Sequence, residues 1–224
     1  MKIFKSFLAV ILVIASLLTL AACGGGSGAT TSDTSSAATS SGASADSGRV
    51  YTKGSVIDGV YINNWAGLQF VTNDEWVACE KDIIKSYEVT NVSCGFVAGA
   101  ASSGKQLAIC VEKLPAEEDV AETSDASSDA SEEVSKVEFT IDGYLDSLVT
   151  GFSSTVAEST FGEYRDITVA GEKYRAVDIV LGESVYQTIC ARRNGNHCIV
   201  LIATGIEKEI PEQALALLTV PTEE

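Results

Sequence analysis

Apolar and polar positions alternate along much of the chain beyond residue 50. In "GVYINNWAGLQFVT", Leu68 and Phe70 fall on one side and Gln69 and Val71 on the other. This predicts two short strands with a corner at Asn63-Asn64. The period changes in "CEKDIIKSYE", where Ile83, Ile84 and Tyr87 recur at helical spacing. "SCGFVAGA" and "KQLAICVEKL" return to strand character, joined through Ser102-Ser103-Gly104. The second of them sets Leu107, Ile109 and Val111 against Ala108, Cys110 and Glu112. "FTIDGYLDSLVTGFSSTV" then carries Ile141, Tyr144, Leu145, Leu148 and Phe152 on one helical stripe, with Thr140 as N-cap.

A meander follows. "YRDITVAG", "EKYRAVDIVLG" and "SVYQTICAR" read as three strands, with Gly171 and Gly182 in the turns. Asn194-Gly195 predicts a two-residue hairpin into a fourth strand, "HCIVLIATG". One face of that last pair carries Val185, Ile189, Val200 and Ile202; the other carries Tyr186, Ile199, Leu201 and Ala203. Two apolar faces require a central position covered on both sides. In "EKEIPEQALALLTVP", Pro211 stands near a helix start and Ala214, Leu215 and Leu218 face inward. The predicted class is α+β: an antiparallel sheet flanked by helices on both faces, an α/β/α sandwich.

The first fifty residues change the picture. Lys2 and Lys5 precede an uncharged apolar run from Phe7 to Leu20. At about 14 residues this run is shorter than the roughly 20 a spanning helix needs, and it reads as a secretion signal. It ends in Leu20-Ala21-Ala22-Cys23, which is similar to the bacterial lipobox. That resemblance implies cleavage after Ala22, a signal peptide over 1–22, and diacylglycerol on the Cys23 thiol. The alternative is an ordinary signal peptide with a chance cysteine. Two acyl chains anchor stably where one does not. Residues 23–49 continue as a Gly/Ser/Ala/Thr linker with no core-forming residues. The 25 residues of 24–48 have an r.m.s. span of about 25–30 Å.

Net charge is −16, and loss of Lys2 and Lys5 with the signal takes it to −18. That balance argues against nucleic acid and against an anionic lipid surface. Residues 115–136 hold eight acids and one Lys. They read as a disordered acidic insertion in a single domain over 50–222; a cation-attracting or partner-binding loop is the other reading. Apart from Cys23, the cysteines are Cys79, Cys94, Cys110, Cys190 and Cys198, with no C-x-x-C pair. The hairpin register puts Cys190 opposite Ile199 and Cys198 opposite Ala191, so those two thiols face opposite ways. Buried free thiols are the main expectation, and no metal site is expected beside a single His.

Gly99, Gly104 and Lys105 match G-x-x-x-x-G-K, but Gln106 stands where a P-loop needs Ser or Thr. The strand periodicity after Lys105 also denies phosphate a helix N-terminus. The expectation is a hairpin turn with Lys105 as a solvated flank, and no nucleotide. A catalytic triad would have to use His197, and no G-x-S-x-G elbow is present. Asp178 lies in an apolar strand and is expected to point outward; buried, its pKa would rise. Trp65 and Trp76 are candidates for ligand stacking or for packing. Arg192 and Arg193 are candidates for gripping an anion or for a solvated turn.

"YINNWAGLQFVTNDEW" resembles the opening of PsbP-like domains, the superfamily named for the extrinsic protein of photosystem II. Small bacterial lipoproteins of that group carry Tyr-x-Asn-x-x-x-Gly-Leu-x-Phe, then Pro and Trp. Tyr61, Asn63, Gly67, Leu68, Phe70 and Trp76 match, while Asn73 and Glu75 replace the usual Pro and Gly before the Trp. The Gly turns, Tyr-bearing strand, basic turn and apolar strand of 168–205 are also similar, so the resemblance covers nearly all of 58–220, through structural motifs. It implies a PsbP-like fold, no general catalytic set and no cofactor, with accessory or binding roles in larger assemblies. The chain is therefore expected to be a lipid-anchored, extracytoplasmic, non-enzymatic binding or accessory domain of the cell envelope. It would meet the membrane through Cys23 and have an envelope protein as partner. A small-ligand receptor for a transporter, or an envelope enzyme with an unrecognised site, are the alternatives.

Overall fold

The computed structural model describes residues 50–88, 90–100, 104–114, 139–156 and 158–222. The expectations for 1–22, for Ala22 and Cys23, for the linker over 23–49 and for the acidic insertion at 115–136 lie outside the described residues.

Three short strands, β1 (Ser55–Ile57), β2 (Val60–Asn63) and β3 (Leu68–Val71), form a small antiparallel sheet in sequence order. The larger sheet has eight strands. They are β4 (Val77–Ala78), β5 (Val92–Ala100), β6 (Lys105–Lys113), β7 (Ser159–Phe161), β8 (Arg165–Val169), β9 (Glu172–Leu181), β10 (Val185–Asn194) and β11 (His197–Gly205). Their order is β4-β5-β6-β11-β10-β9, and every pairing is antiparallel. The outer edge of β9 is shared. β7 pairs with its end at Ile179–Leu181 and β8 with its start at Glu172–Ala176. Between them Gly162 N donates to Asp178 O at 2.8 Å.

The helices are α1 (Lys81–Ser86), α2 (Ile141–Thr155) and α3 (Ile210–Ala216). Thr140 caps α2, its hydroxyl accepting from Gly143 N at 3.1 Å. The chain is thus α+β, mostly antiparallel sheet with a few helices.

The sheet buries both faces. One holds Cys94, Val97, Ala108, Cys110, Ile189, Val200 and Ile202 against Tyr144, Leu145, Leu148 and Phe152 of α2. The other holds Phe96, Ala98, Leu107, Ile109, Cys190, Ile199 and Leu201. It meets Tyr61, Leu68 and Phe70 of the small sheet and Ala214, Leu215 and Leu218 at α3. β10 and β11 are central with two apolar faces, as their alternation requires. The small sheet's share in covering the second face was not part of the sequence expectation.

Strand β5 changes phase in its middle. Its register with β6 shifts between Cys94 and Phe96, so Cys94 and Val97 serve one core while Phe96 and Ala98 serve the other. Gly95 is the inserted residue. A Cβ there would lie 2.6 Å from the Tyr61 hydroxyl oxygen, which only glycine avoids.

Two local expectations are corrected. The β10–β11 turn is Gly195-Asn196, because Asn194 pairs with His197 and stays in the strand. Cys198 therefore stands opposite Arg193, and Cys190 opposite Leu201. A turn displaced by one residue moves each partner by two, so face assignments survive: Cys190 and Cys198 lie in opposite cores. Lys105 is no solvated flank. Its side chain is 15% exposed, its Nζ lies 3.1 Å from Glu75 Oε2, and it sits 5.2 Å over the Trp76 ring. It opens β6, so a strand follows the Gly99–Lys105 near-match.

Candidate functional site

The β6–β11 register sets His197 opposite Lys113, and the β5–β6 register sets Ser93 opposite Val111. Alternation puts all four on the face that carries Ile109 and Ile199, at the end of the sheet beyond the small-sheet core. Asn91 turns the chain there with φ +70, and its carbonyl accepts from Lys113 N at 2.8 Å. Tyr51 crosses in front. These residues line an open cavity of about 310 Å³.

Tyr51 and His197 line it and pack with Trp65 as an aromatic trio. Tyr51 and His197 lie 5.4 Å apart between ring centroids, tilted by 34°. Trp65 stands edge-on to both, at 5.1 Å and 82° from Tyr51 and at 5.4 Å and 77° from His197. Trp65 is placed by its loop. Asn194 Nδ2 donates to Trp65 O at 3.3 Å, and Ala66 is gripped by Asn63 Oδ1 at 2.9 Å and Arg192 Nη2 at 3.0 Å. Burial, and then the Lys113 charge, hold His197 below its ordinary pKa, which keeps the imidazole neutral. Burial pushes the Tyr51 hydroxyl up. Ser93 lies beside it, yet the buried Tyr51 oxygen has no well-formed hydrogen-bond partner.

A second buried group sits on the opposite face. Glu112 is 7% exposed and accepts from Tyr144 Oη at 2.9 Å. Burial raises its carboxyl to about 7, against a smaller lowering by the Tyr144 bond. Its cross-strand neighbour is Cys198, whose thiol burial pushes up to about 12. Sequence reasoning put Glu112 on the Cys110 face but did not see that α2 would cover it.

The other candidate residues resolve into structure. The Asp178 carboxylate is half exposed and grips Arg165 through bonds of 3.0 and 3.2 Å while accepting from Thr188 Oγ1 at 2.6 Å. Burial opposes its ionisation, but these partners outweigh it and hold the carboxyl below its ordinary pKa. Trp76 is core, edge-on to Phe70 at 6.2 Å, whereas Trp65 packs on the two rings, Tyr51 and His197, that line the pocket. Arg192 is no solvated turn residue: it pairs with Glu172 at 3.2 Å and lies 5.2 Å over the Tyr174 ring. Arg193 Nε donates to Gly195 O at 3.0 Å, and its guanidinium lies over Phe139. Ser93 and His197 line one cavity from strands separated by β6, a backbone spacing near 10 Å or more. Among the described residues His197 has no carboxylate partner, and no group of three or more His, Cys, Asp or Glu residues could hold a metal ion.

No family model and no curated protein matches the chain. Among solved structures it is similar to the cyanobacterial PsbP protein CyanoP from Synechocystis sp. PCC 6803, at 11% identity and TM-score 0.45, over 72% of this chain and 91% of that one. It is also similar to a Pseudomonas aeruginosa protein of unknown function described as a putative regulator. That likeness has 12% identity and TM-score 0.30, over 54% of this chain and 76% of that one. Among the described residues no helix is long and apolar enough to cross a membrane.

Proposed function

We propose that the protein is a lipid-anchored, extracytoplasmic lipoprotein acting as a non-enzymatic binding or accessory domain of the cell envelope. The charged start, apolar run and Leu20-Ala21-Ala22-Cys23 support the anchor. The observation that carries the binding reading is the open pocket at Tyr51, Lys113 and His197. Its imidazole has aromatic and cationic neighbours, an arrangement that suits holding a molecule better than activating a nucleophile. The fold reading extends to a PsbP-like, three-layered α/β/α domain over 50–222, supported by Tyr61, Asn63, Gly67, Leu68, Phe70 and Trp76.

Cross-linking the full-length protein in its native cell should capture one envelope protein reproducibly. Turnover of an envelope substrate that one point mutation abolishes would overturn the non-enzymatic reading. Cys23→Ala should release the protein from the membrane fraction; unchanged fractionation would overturn the anchor. The pocket also favours a second reading, a small-ligand receptor for a transporter. A thermal-shift screen of metabolites with no response would count against it.

A further inference from the structure

We propose that the pocket at Tyr51, Lys113 and His197 takes a small planar organic anion, an aromatic carboxylate, with its ring against the Tyr51–His197 wall and its carboxylate at Lys113. This rests on the domain being a binding module, and it adds the class of ligand.

Three features carry it. The first is charge. The whole chain has 31 acids against 15 Lys and Arg, yet among the described residues no Asp or Glu lines this cavity. Among the described residues Lys113 is the only charged group that lines it, and Lys113 makes no ion pair there. A lone cation beside a neutral imidazole selects one negative charge rather than a polyanion. The second is shape. Tyr51 and His197 present two rings 5.4 Å apart and tilted by 34°, and Trp65 packs edge-on to both. The third is hydrogen bonding. Ser93 lines the cavity beside the buried Tyr51 hydroxyl, which has no bond of full geometry, so a ligand oxygen at Ser93 would add a hydrogen-bond partner to this pair. The volume, about 310 Å³, lies at the low end of ligand cavities, which run from roughly 300 to 1,000 Å³. It suits one ring and its carboxylate.

The experiment titrates the folded protein with benzoate, and in parallel with benzamide, its neutral isostere. The readout is the NMR signals of the Trp65 indole N–H and the His197 imidazole. Benzoate should shift both saturably. Benzamide, and benzoate on Lys113→Ala, should bind about tenfold or more weakly, the usual value of a charge-assisted bond; Lys113→Arg should recover most of the affinity. Phe139 and Leu148 methyl and ring signals on the opposite face, unmoved, control for unfolding. No saturable shift at any soluble benzoate concentration, or equal affinity for benzamide, overturns the assignment. Those failures leave the binding reading standing if cross-linking still captures a partner. A catalysed turnover would sink the binding reading whatever benzoate does.

Discussion

Cys94 and Cys110 stand directly opposite one another on β5 and β6, both in the core beneath α2. They are 0% and 2% exposed, and the neighbouring Cys94 is the main reason the Cys110 thiol resists ionisation. Directly opposed residues of an antiparallel pair have Cα atoms about 4.5–5.5 Å apart, within the range a disulfide spans. Burial keeps both thiols from solvent in the folded state, so their pairing is set while the chain folds. Refolding the domain in oxidised glutathione should join them: two thiols give up two protons and two electrons, and one glutathione disulfide becomes two thiols. Thiol titration in denaturant should then count three free cysteines among the five described, where refolding under reductant leaves five. Retention of all five, or the same loss in Cys110→Ala, would refute the pairing.

Glu112 gives the molecule a pH dependence of unusual sign. Its folded pKa is about 7, above the ordinary 4.5, so the folded state holds the proton more tightly than the unfolded chain. Stability is undiminished below pH 4.5, falls as pH rises through that window, and levels off above pH 7. The shift corresponds to a loss on the order of 3 kcal/mol. Glu112→Gln keeps an acceptor for Tyr144 and removes the charge. It should raise Tm by several degrees at pH 8 and leave it nearly unchanged at pH 4.5. Equal changes at the two pH values in thermal denaturation would refute the assignment.

Tyr61 fills the space that Gly95 leaves. It is fully buried, stacked 4.5 Å from Phe96, with its hydroxyl accepting from Asn63 Nδ2 at 3.2 Å. Gly95→Ala drives a methyl to 2.6 Å from the Tyr61 oxygen but leaves 3.6 Å to its ring carbon. The substitution should destabilise by about 1–3 kcal/mol. In a Tyr61→Phe background, where the oxygen is gone, most of that effect should vanish. A double-mutant cycle in urea measures the coupling; additive effects would show that the contact does not govern the site.

Lys105 holds the edge near Trp76. Lys105→Ala removes the aliphatic stem from the ring and the charge from Glu75, and should lower stability by about 1 kcal/mol. Lys105→Met restores the stem alone and should recover about half. Chemical denaturation decides this, and a neutral alanine variant would return Lys105 to the status of a surface residue.

The strands β9, β10 and β11 were legible because each is a run of nine or ten residues rich in β-branched and apolar side chains and bounded by glycine turns. The position of their last turn was not. Asn-Gly is the favoured hairpin dipeptide, yet Asn194 is held in the strand by pairing with His197 and by its bond to Trp65 O. That bond comes from a loop some 130 residues earlier, which no local pattern reveals. β1, β4 and β7 escaped notice because each has two or three residues, too few to establish a period. The pocket was illegible for a related reason. Tyr51, Lys113 and His197 are mutually distant in sequence and meet only through the β5–β6–β11 register and the small sheet. By contrast, the Tyr61–Asn63–Gly67–Leu68–Phe70 run was conspicuous, and its residues are structural: Asn63 links the Tyr61 hydroxyl to the Ala66 amide while Leu68 and Phe70 fill the core.

The divided outer edge of β9's neighbours has a bearing on life at high local concentration. A tether would crowd many copies of the domain into a thin layer, where an unbroken rank of free amides and carbonyls invites copies to zip together. Here that rank is interrupted: β7 offers three residues, β8 offers five in its own register, and Gly162 turns inward to Asp178 between them. The interruption leaves a neighbouring copy no long straight template to extend on this side.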